Sequence, residues 1–422
     1  MRQKGFTMKK ISVNPAFKNI ISPEQLTNLL TDVEKIAYRN TIKFQDYFPT
    51  AASDNGIYTY TNTFFDSWHG GWWTGIFYMI YMALGDERFH YYADNYSSRF
   101  YKVIQNNRIV HREMGFMFLP VCVYDININQ NSEAAEAIIF AARYMAEAFG
   151  ITGDKEISRG ICSNHERKKI KSAAAGAVNS NILRLAAGIG GNPAFGEIAA
   201  EFAHNCFNLN ISDDGKCLMN VFYTNENNTV ERGFDDSSAY GFAKSGDYIR
   251  PYAWIALGLV IFYIQSNYDE YYEQKLYTVL NYFLNISDGN LAMFVPGDEK
   301  GRNITDTTSL AIFVCAFAEF IKKSDSSHKH YDFYFSLFKE AFNKMISYRI
   351  TASSGKQGFL DKGILLGGYE IDGKKLKNGC NICGDYFYLE ALMHMTDGFE
   401  SCWNVDRIYR NKDDILYLKN NI

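Results

Sequence analysis

Two hydrophobic patterns alternate along the chain. In six stretches, small and aromatic residues open a run that is then almost wholly apolar: Trp68-His-Gly-Gly-Trp-Trp-Thr-Gly-Ile-Phe-Tyr-Met, Glu113-Met-Gly-Phe-Met-Phe-Leu-Pro, Ala175-Gly-Ala-Val-Asn-Ser-Asn-Ile-Leu, Tyr248-Ile-Arg-Pro-Tyr-Ala-Trp-Ile-Ala-Leu, Thr305-Asp-Thr-Thr-Ser-Leu-Ala-Ile-Phe-Val and Cys383-Gly-Asp-Tyr-Phe-Tyr-Leu-Glu-Ala-Leu. A helix that is apolar on every side has no face to offer water, so it must be buried, and its polar, aromatic opening is expected at one end of a core. Between these runs lie segments with charge on one face, at 23–46, 86–106, 131–149, 193–209, 267–285 and 328–348. Such segments cover a core from outside. Ser22 followed by Pro23 predicts a helix start, since Ser caps and Pro suits the first helical position. Gly85-Asp86, Gly190-Gly-Asn-Pro193 and Ser266-Asn-Tyr-Asp269 break inner runs from outer ones.

Inner and outer helices alternating in this way predict an all-α fold, an (α/α)6 barrel. Stretches 46–67, 150–172, 210–247, 286–304 and 349–381 are the long loops, and each precedes an inner helix. They are therefore expected to gather at the face where inner helices begin. Helix N-termini aim free N–H groups and positive dipole ends at that face, which predisposes it to an anion such as a carboxylate or sulfate. Strand-like sequence is confined to loops, with a short hairpin expected over Lys216–Tyr223. The expected organisation is an N-terminal extension at 1–20, one barrel domain at 21–400 and a C-terminal tail at 401–422.

Composition narrows the function classes. The formal charge of −4 over 422 residues provides no basic field for nucleic acid. The basic N-terminus lacks the apolar run of a secretory signal, and no segment offers about 20 uninterrupted apolar residues for a membrane span. A cytoplasmic enzyme with no membrane partner is the expectation. The eight cysteines are scattered, several of them in apolar helical patterns, and read as reduced. Cys380-Asn-Ile-Cys383 has redox or zinc spacing but no companion motif, so it reads as packing; no metal and no cofactor are expected. His69 and His111 lack ligand spacing and read as structural. The 30 Tyr and 32 Phe suit a large core and a sugar-binding cleft equally.

Trp68-x-x-Gly-x-Trp-Thr-Gly, His111-Arg-Glu-Met-Gly-Phe, Arg250-Pro-Tyr-Ala-Trp254, Asp306-Thr-Thr-Ser-Leu-Ala, Gly363-Ile-Leu-Leu and Gly384-Asp-Tyr-Phe-Tyr-Leu-Glu-Ala-Leu run collinearly from Trp68 to Leu392. In this order they resemble the unsaturated glucuronyl hydrolases, family 88 of the glycoside hydrolases. The resemblance implies the same barrel and removal of a 4,5-unsaturated uronic acid from the non-reducing end of lyase-generated oligosaccharides, glycosaminoglycan-type or other uronates. Water adds across the C4=C5 double bond and the resulting hemiketal collapses. Two other readings stay open: a catalytically impaired uronate-oligosaccharide-binding protein, and another (α/α)6 carbohydrate-active enzyme.

Hydration of an enol ether needs a carboxyl that protonates one carbon and helps deprotonate the water added to the other. The resemblance places the family's first aspartate on Glu113, which keeps the charge and adds a methylene. It places the principal acid/base aspartate, four residues before Asn179, on Ala175, which transfers no proton. An engineered substitution, a misaligned third helix and natural divergence are the three accounts of Ala175. The family's histidine, glutamine and tryptophan fall on Asn220, Arg232 and Tyr248, whereas Arg250 and Trp254 match its arginine and tryptophan, one helical turn apart. An arginine pairs with a uronate carboxylate in bidentate fashion, and an indole stacks on a sugar ring. With Trp68, these residues form the implied substrate site. Asp235-Asp236 is an alternative source of a carboxylate, Asp306 and Asp385 are expected helix caps, and Lys374-Lys375-Leu-Lys377 reads as a solvated cluster.

Overall fold

The structure is a computed structural model that describes residues 9–45, 47–61, 69–105, 113–150, 169–190, 192–224, 233–234, 249–291, 293–295, 304–364 and 378–405. Its helices are α1 (Pro23–Phe44), α2 (His69–Leu84), α3 (Glu87–Gln105), α4 (Met114–Asn129), α5 (Ser132–Gly150), α6 (Gly176–Asn179), α7 (Asn181–Gly190), α8 (Pro193–Asn210), α9 (Ile249–Gln265), α10 (Glu270–Ile286), α11 (Thr307–Lys323), α12 (Tyr331–Ser347) and α13 (Ile382–His394). The apolar runs form an inner ring, α2, α4, α6 with α7, α9, α11 and α13, each packed on the next and α13 closing on α2. The amphipathic segments form the outer layer: α3 lies on α2, α5 on α4, α8 on α7, α10 on α9, α12 on α11, and α1 on α13 and α2. This is the (α/α)6 barrel. Among the described residues, no helix is long and apolar enough to cross a membrane.

Local chemistry sets the ends of these helices. Ser22 and Gln25 form a capping box at the start of α1, with Pro23 in the first turn. Asn192 accepts from Ala194 N before α8, again with Pro at the first position. The third inner helix is broken at Ser180, whose hydroxyl donates to the Ala177 carbonyl (2.8 Å), so α6 and α7 are separate segments.

The inner helices meet closely at their openings because two glycines leave room for backbone. A Cβ on Gly71 would stand 2.3 Å from the Met117 carbonyl oxygen, and one on Gly115 would stand 2.1 Å from that of Asn179. Backbone cannot swing aside as a side chain can. Gly115→Ala is therefore expected to destabilise the fold by about 1–3 kcal/mol, the usual range for forced overpacking. Gly196→Ala, in the body of α8 with 3.6 Å to the nearest atom, is expected to stabilise by roughly 0.5–1 kcal/mol. Denaturant midpoints measured in parallel check both, and equal behaviour of the two variants would contradict the contact at Gly115.

Among the described residues, the strands all belong to loops that lead into inner helices. Phe48–Pro49 pairs with Tyr60–Thr61, Met293–Val295 with Ile304–Thr305, and Gly363–Ile364 with Asn378–Gly379. The hairpin expected over Lys216–Tyr223 is not local. Gly215, at φ 97°, turns the chain before residue 216 and leaves only the Ile211–Cys217 bridge. Asn220–Thr224 then pairs antiparallel with Lys169–Ala173, the strand entering α6, and also with Gly233–Phe234. The boundaries at 20 and 400 do not separate packed from unpacked chain. Val13 bridges Thr396, Phe17 packs its ring 4.9 Å from Phe338, and Cys402, Trp403 and Val405 are buried.

Candidate active site

Two openings that the sequence placed far apart, and a strand, adjoin at one end of the barrel. Gly115, two residues after Glu113, lies against the Asn179 backbone, and Asn179 Oδ1 accepts from Phe116 N (3.1 Å). Asn179 is held in turn by Ala175, whose carbonyl accepts from Asn179 N (3.1 Å). The opening of α4, with Glu113, is thereby fixed beside that of α6, with Ala175. Ala175 is the N-cap residue of α6, makes no side-chain cap and is 8% exposed. Asn220 pairs in register with Ala173, and Ala174 N donates to the Met219 carbonyl (2.8 Å), so the 220–224 strand borders the same opening.

At the next opening of the ring, Arg250 lies in the first turn of α9 and is 3% exposed. Its Nε donates to Asp306 Oδ2 (2.9 Å) and Ser309 Oγ (2.8 Å), and its terminal nitrogen donates to Asp306 Oδ1 (2.9 Å). Asp306 also accepts from Thr308 N (3.2 Å), so it caps α11, as expected, and holds the guanidinium as well. Ser309 Oγ donates to the same carboxylate. The ion-pair role of Asp306 went unread in the sequence. The signal was present, since Arg250 and Asp306 each stand at the start of consecutive inner runs and adjacent openings must sit at one depth. Cys383, at the opening of α13, is buried, which pushes its thiol up; Arg250 opposes that push, while Asp306, Glu113 and Asp385 add to it. One point in the mouth thus feels charges contributed by α4, α9, α11 and α13.

Beneath the openings lies an aromatic floor. Trp254 sits 5.0 Å from Phe116, 5.4 Å from Phe387 and 6.4 Å from Trp72, the last stacked at 21°. Trp403 closes the layer from below, 6.1 Å from Phe387 and 5.9 Å from Phe116. Trp72 and Trp73 are buried, and Trp73 packs edge-on to Phe44 and Phe77. A held guanidinium one helical turn from the Trp254 indole, at the positive ends of several helices, suits a carboxylated sugar ring.

Asp385 does not cap α13; Asn381 does, accepting from Gly384 N (2.7 Å) and donating to Thr308 Oγ1 (2.8 Å). Asp385 instead ties the loops of the rim together, accepting from Phe359 N (2.7 Å), Leu360 N (3.2 Å) and Tyr58 Oη (2.8 Å). Burial raises its carboxyl from 3.8 to about 7, against the pull of those donors. The folded chain therefore keeps a proton that the unfolded chain releases, and the contribution of Asp385 to stability falls as pH rises from about 4 to 7. Relative to wild type, Asp385→Asn is expected to gain thermal stability between pH 5 and pH 8. His69, buried and lowered to about 4, acts in the opposite sense on acidification but cancels in the comparison. Melting curves of both proteins across that range check this, and a pH-independent difference would contradict it.

Trp68, His111, Arg232, Asp235, Asp236, Tyr248 and Lys374–Lys377 lie outside the described residues. Seven cysteines are free among the described ones, including Cys380 and Cys383, both buried, with the Cys380 thiol pushed up to about 12 by burial.

Comparison with known proteins places this geometry. No family model matches the chain. It is 26% identical over 408 residues to an unsaturated chondroitin disaccharide hydrolase of Streptococcus agalactiae serotype III (strain NEM316), covering 92% of this chain and 98% of that protein. Over 388 residues it is 22% identical to an unsaturated glucuronyl hydrolase of Bacillus sp. (strain GL1), covering 88% and 97%. Among solved structures, the unsaturated glucuronyl hydrolase of Streptococcus agalactiae superposes with a TM-score of 0.78 at 23% identity, covering 94% of this chain and 100% of that one. An aspartate-to-asparagine variant from the same organism, complexed with dGlcA-GalNAc6S, gives 0.74 at 22%, covering the same shares.

Proposed function

We propose that this chain, a divergent member of the unsaturated glucuronyl hydrolases, removes a 4,5-unsaturated uronic acid from the non-reducing end of lyase-generated oligosaccharides by hydrating the C4=C5 double bond. The observation that carries the reading is the correspondence with such hydrolases over nearly the whole of both chains. The site agrees with it in chemistry. In our reading, Arg250 faces the uronate carboxylate, held in place by Asp306 and Ser309. Trp254, with Trp68, supplies aromatic surface to the ring, and Asn220, Arg232 and Tyr248 line the remainder. Glu113 delivers a proton to C4, water bonds to C5 and passes a proton back to the Glu113 carboxylate, and the hemiketal so formed opens to a C5 ketone and a C1 hemiacetal, whose collapse releases the rest of the oligosaccharide. Substrates are unsaturated disaccharides of the glycosaminoglycan type.

The test is loss of ultraviolet absorbance of the conjugated uronate on adding unsaturated chondroitin, heparin and hyaluronan disaccharides. Absence of change across the panel would remove the reading. Glu113→Gln is expected to lower kcat by about 10²-fold, the lower end for loss of a general acid/base; full turnover in that variant would remove Glu113 from the mechanism. Ala175 favours a second reading, a protein that binds the same unsaturated disaccharides without converting them. Calorimetric binding with unchanged absorbance would support it.

A further inference from the structure

The end of the barrel where inner helices finish holds a cluster that hydrolysis does not use. Glu390 and His394 stand one turn apart on α13, Cys315 faces them from α11, and all three are 0% exposed. Their donor atoms lie within 4.8 Å of one another. His394 Nε2 has no hydrogen-bond partner and points at Glu390 Oε1 from 3.7 Å. That is too long for a hydrogen bond. It is close to the roughly 3.4 Å between two ligands placed about 2.0–2.1 Å from a tetrahedral ion.

The surroundings add two arguments. Trp403 Nε1 donates to both oxygens of Glu390 (3.0 and 3.1 Å), and Glu319 Oε1 lies 3.8 Å from His394 Nδ1, where a metal-bound imidazole ordinarily finds its orienting carboxylate. Ser401 Oγ fixes that carboxylate from 2.8 Å. The charges also fall short of balance. Among the described residues no lysine or arginine pairs with Glu319 or Glu390; Lys322 instead donates to the Phe399 carbonyl (2.7 Å) and lies 3.3 Å from His394 Nδ1. Buried carboxylates without a cationic partner are expensive. A divalent cation with one thiolate brings one positive charge to them.

We propose that Cys315 Sγ, the Glu390 carboxylate and His394 Nε2 bind one divalent cation of the zinc type as a structural site. On binding, the Cys315 thiol, which donates to the Phe387 carbonyl (3.4 Å) in this structure, loses its proton to solvent as the metal–sulfur bond forms. His394, whose Nδ1 faces the Lys322 ammonium in this structure, moves its proton from Nε2 to Nδ1 by way of solvent as Nε2 takes the ion; the Nδ1–H then turns to Glu319, and Lys322 keeps the Phe399 carbonyl. Since the site is closed, the ion enters as the chain folds and contributes to stability, not to turnover. The proposal does not depend on the hydrolase reading.

The experiment is metal analysis of the full chain purified with zinc in the medium and dialysed, followed by unfolding in chelator and refolding with Zn²⁺ or Co²⁺ alone. The expected results are about one zinc per chain, a higher melting temperature after refolding with Zn²⁺ than in chelator, and a near-ultraviolet thiolate-to-cobalt band with Co²⁺. Cys315→Ala is expected to lose the band and most of the zinc; should that variant not fold, the wild-type cobalt spectrum decides. Metal-free wild-type protein with no band and no thermal shift on refolding overturns the proposal. So does zinc retained at full stoichiometry in Cys315→Ala.

Discussion

Ala175→Asp is expected to raise hydrolysis of unsaturated uronyl disaccharides by about 10²–10⁴-fold in kcat, the range a positioned general acid/base contributes. The position is prepared for a carboxylate. It is the N-cap of α6 with no side-chain cap of its own, it borders the strand carrying Asn220, and it lies at the opening that Asn179 ties to the opening of Glu113. Absorbance assays of both proteins on one disaccharide panel decide the matter. A gain establishes the alignment of the third inner helix and the loss of its acid. Equal, substantial turnover in wild type and variant would show that another carboxyl does the work.

The second large effect is on stability. Asp306→Ala leaves Arg250 buried without its carboxylate, and breaking a buried pair from one side costs about 3–5 kcal/mol. For a chain of this length, taking about 2.1 cal/mol/K per residue, the melting temperature should fall by roughly 3–6 °C. Replacing both partners by apolar residues, Arg250→Met with Asp306→Leu, should cost less than Asp306→Ala alone, because no charge is then stranded. Thermal unfolding of the two variants separates the cases. A double variant as damaged as the single one would mean that packing around the pair, and not its charge, carries the stability.

The barrel was legible because its evidence is periodic. Runs such as 254–263 have no polar face, segments such as 87–105 have one, and water sorts the two without reference to neighbours. The openings as a shared site were legible for the same reason, since burial of each run leaves its polar start at one end. The pairings were not. The strand at 220–224 was read against its own neighbours within 216–223, yet its partners lie at 169–173 and 233–234. Asp385 was read as a cap from its place in the helix, and the tertiary fold turned its carboxyl onto Phe359 and Leu360 instead.

The sequence alone determined the twelve-part alternation and the end of the barrel where polar residues collect, and it put an alanine where the family resemblance implies an acid. These follow from local patterns and from the identity of single residues. Only the tertiary structure decided that Arg250 is already held by Asp306, that Glu113 and Ala175 belong to adjoining openings, and that Cys315 meets Glu390 and His394 at the far end. Each of those depends on the angular position of one inner helix about the ring relative to the next. That angle is set by backbone contacts such as Gly71 on Met117 and Gly115 on Asn179, which hydrophobic periodicity does not encode.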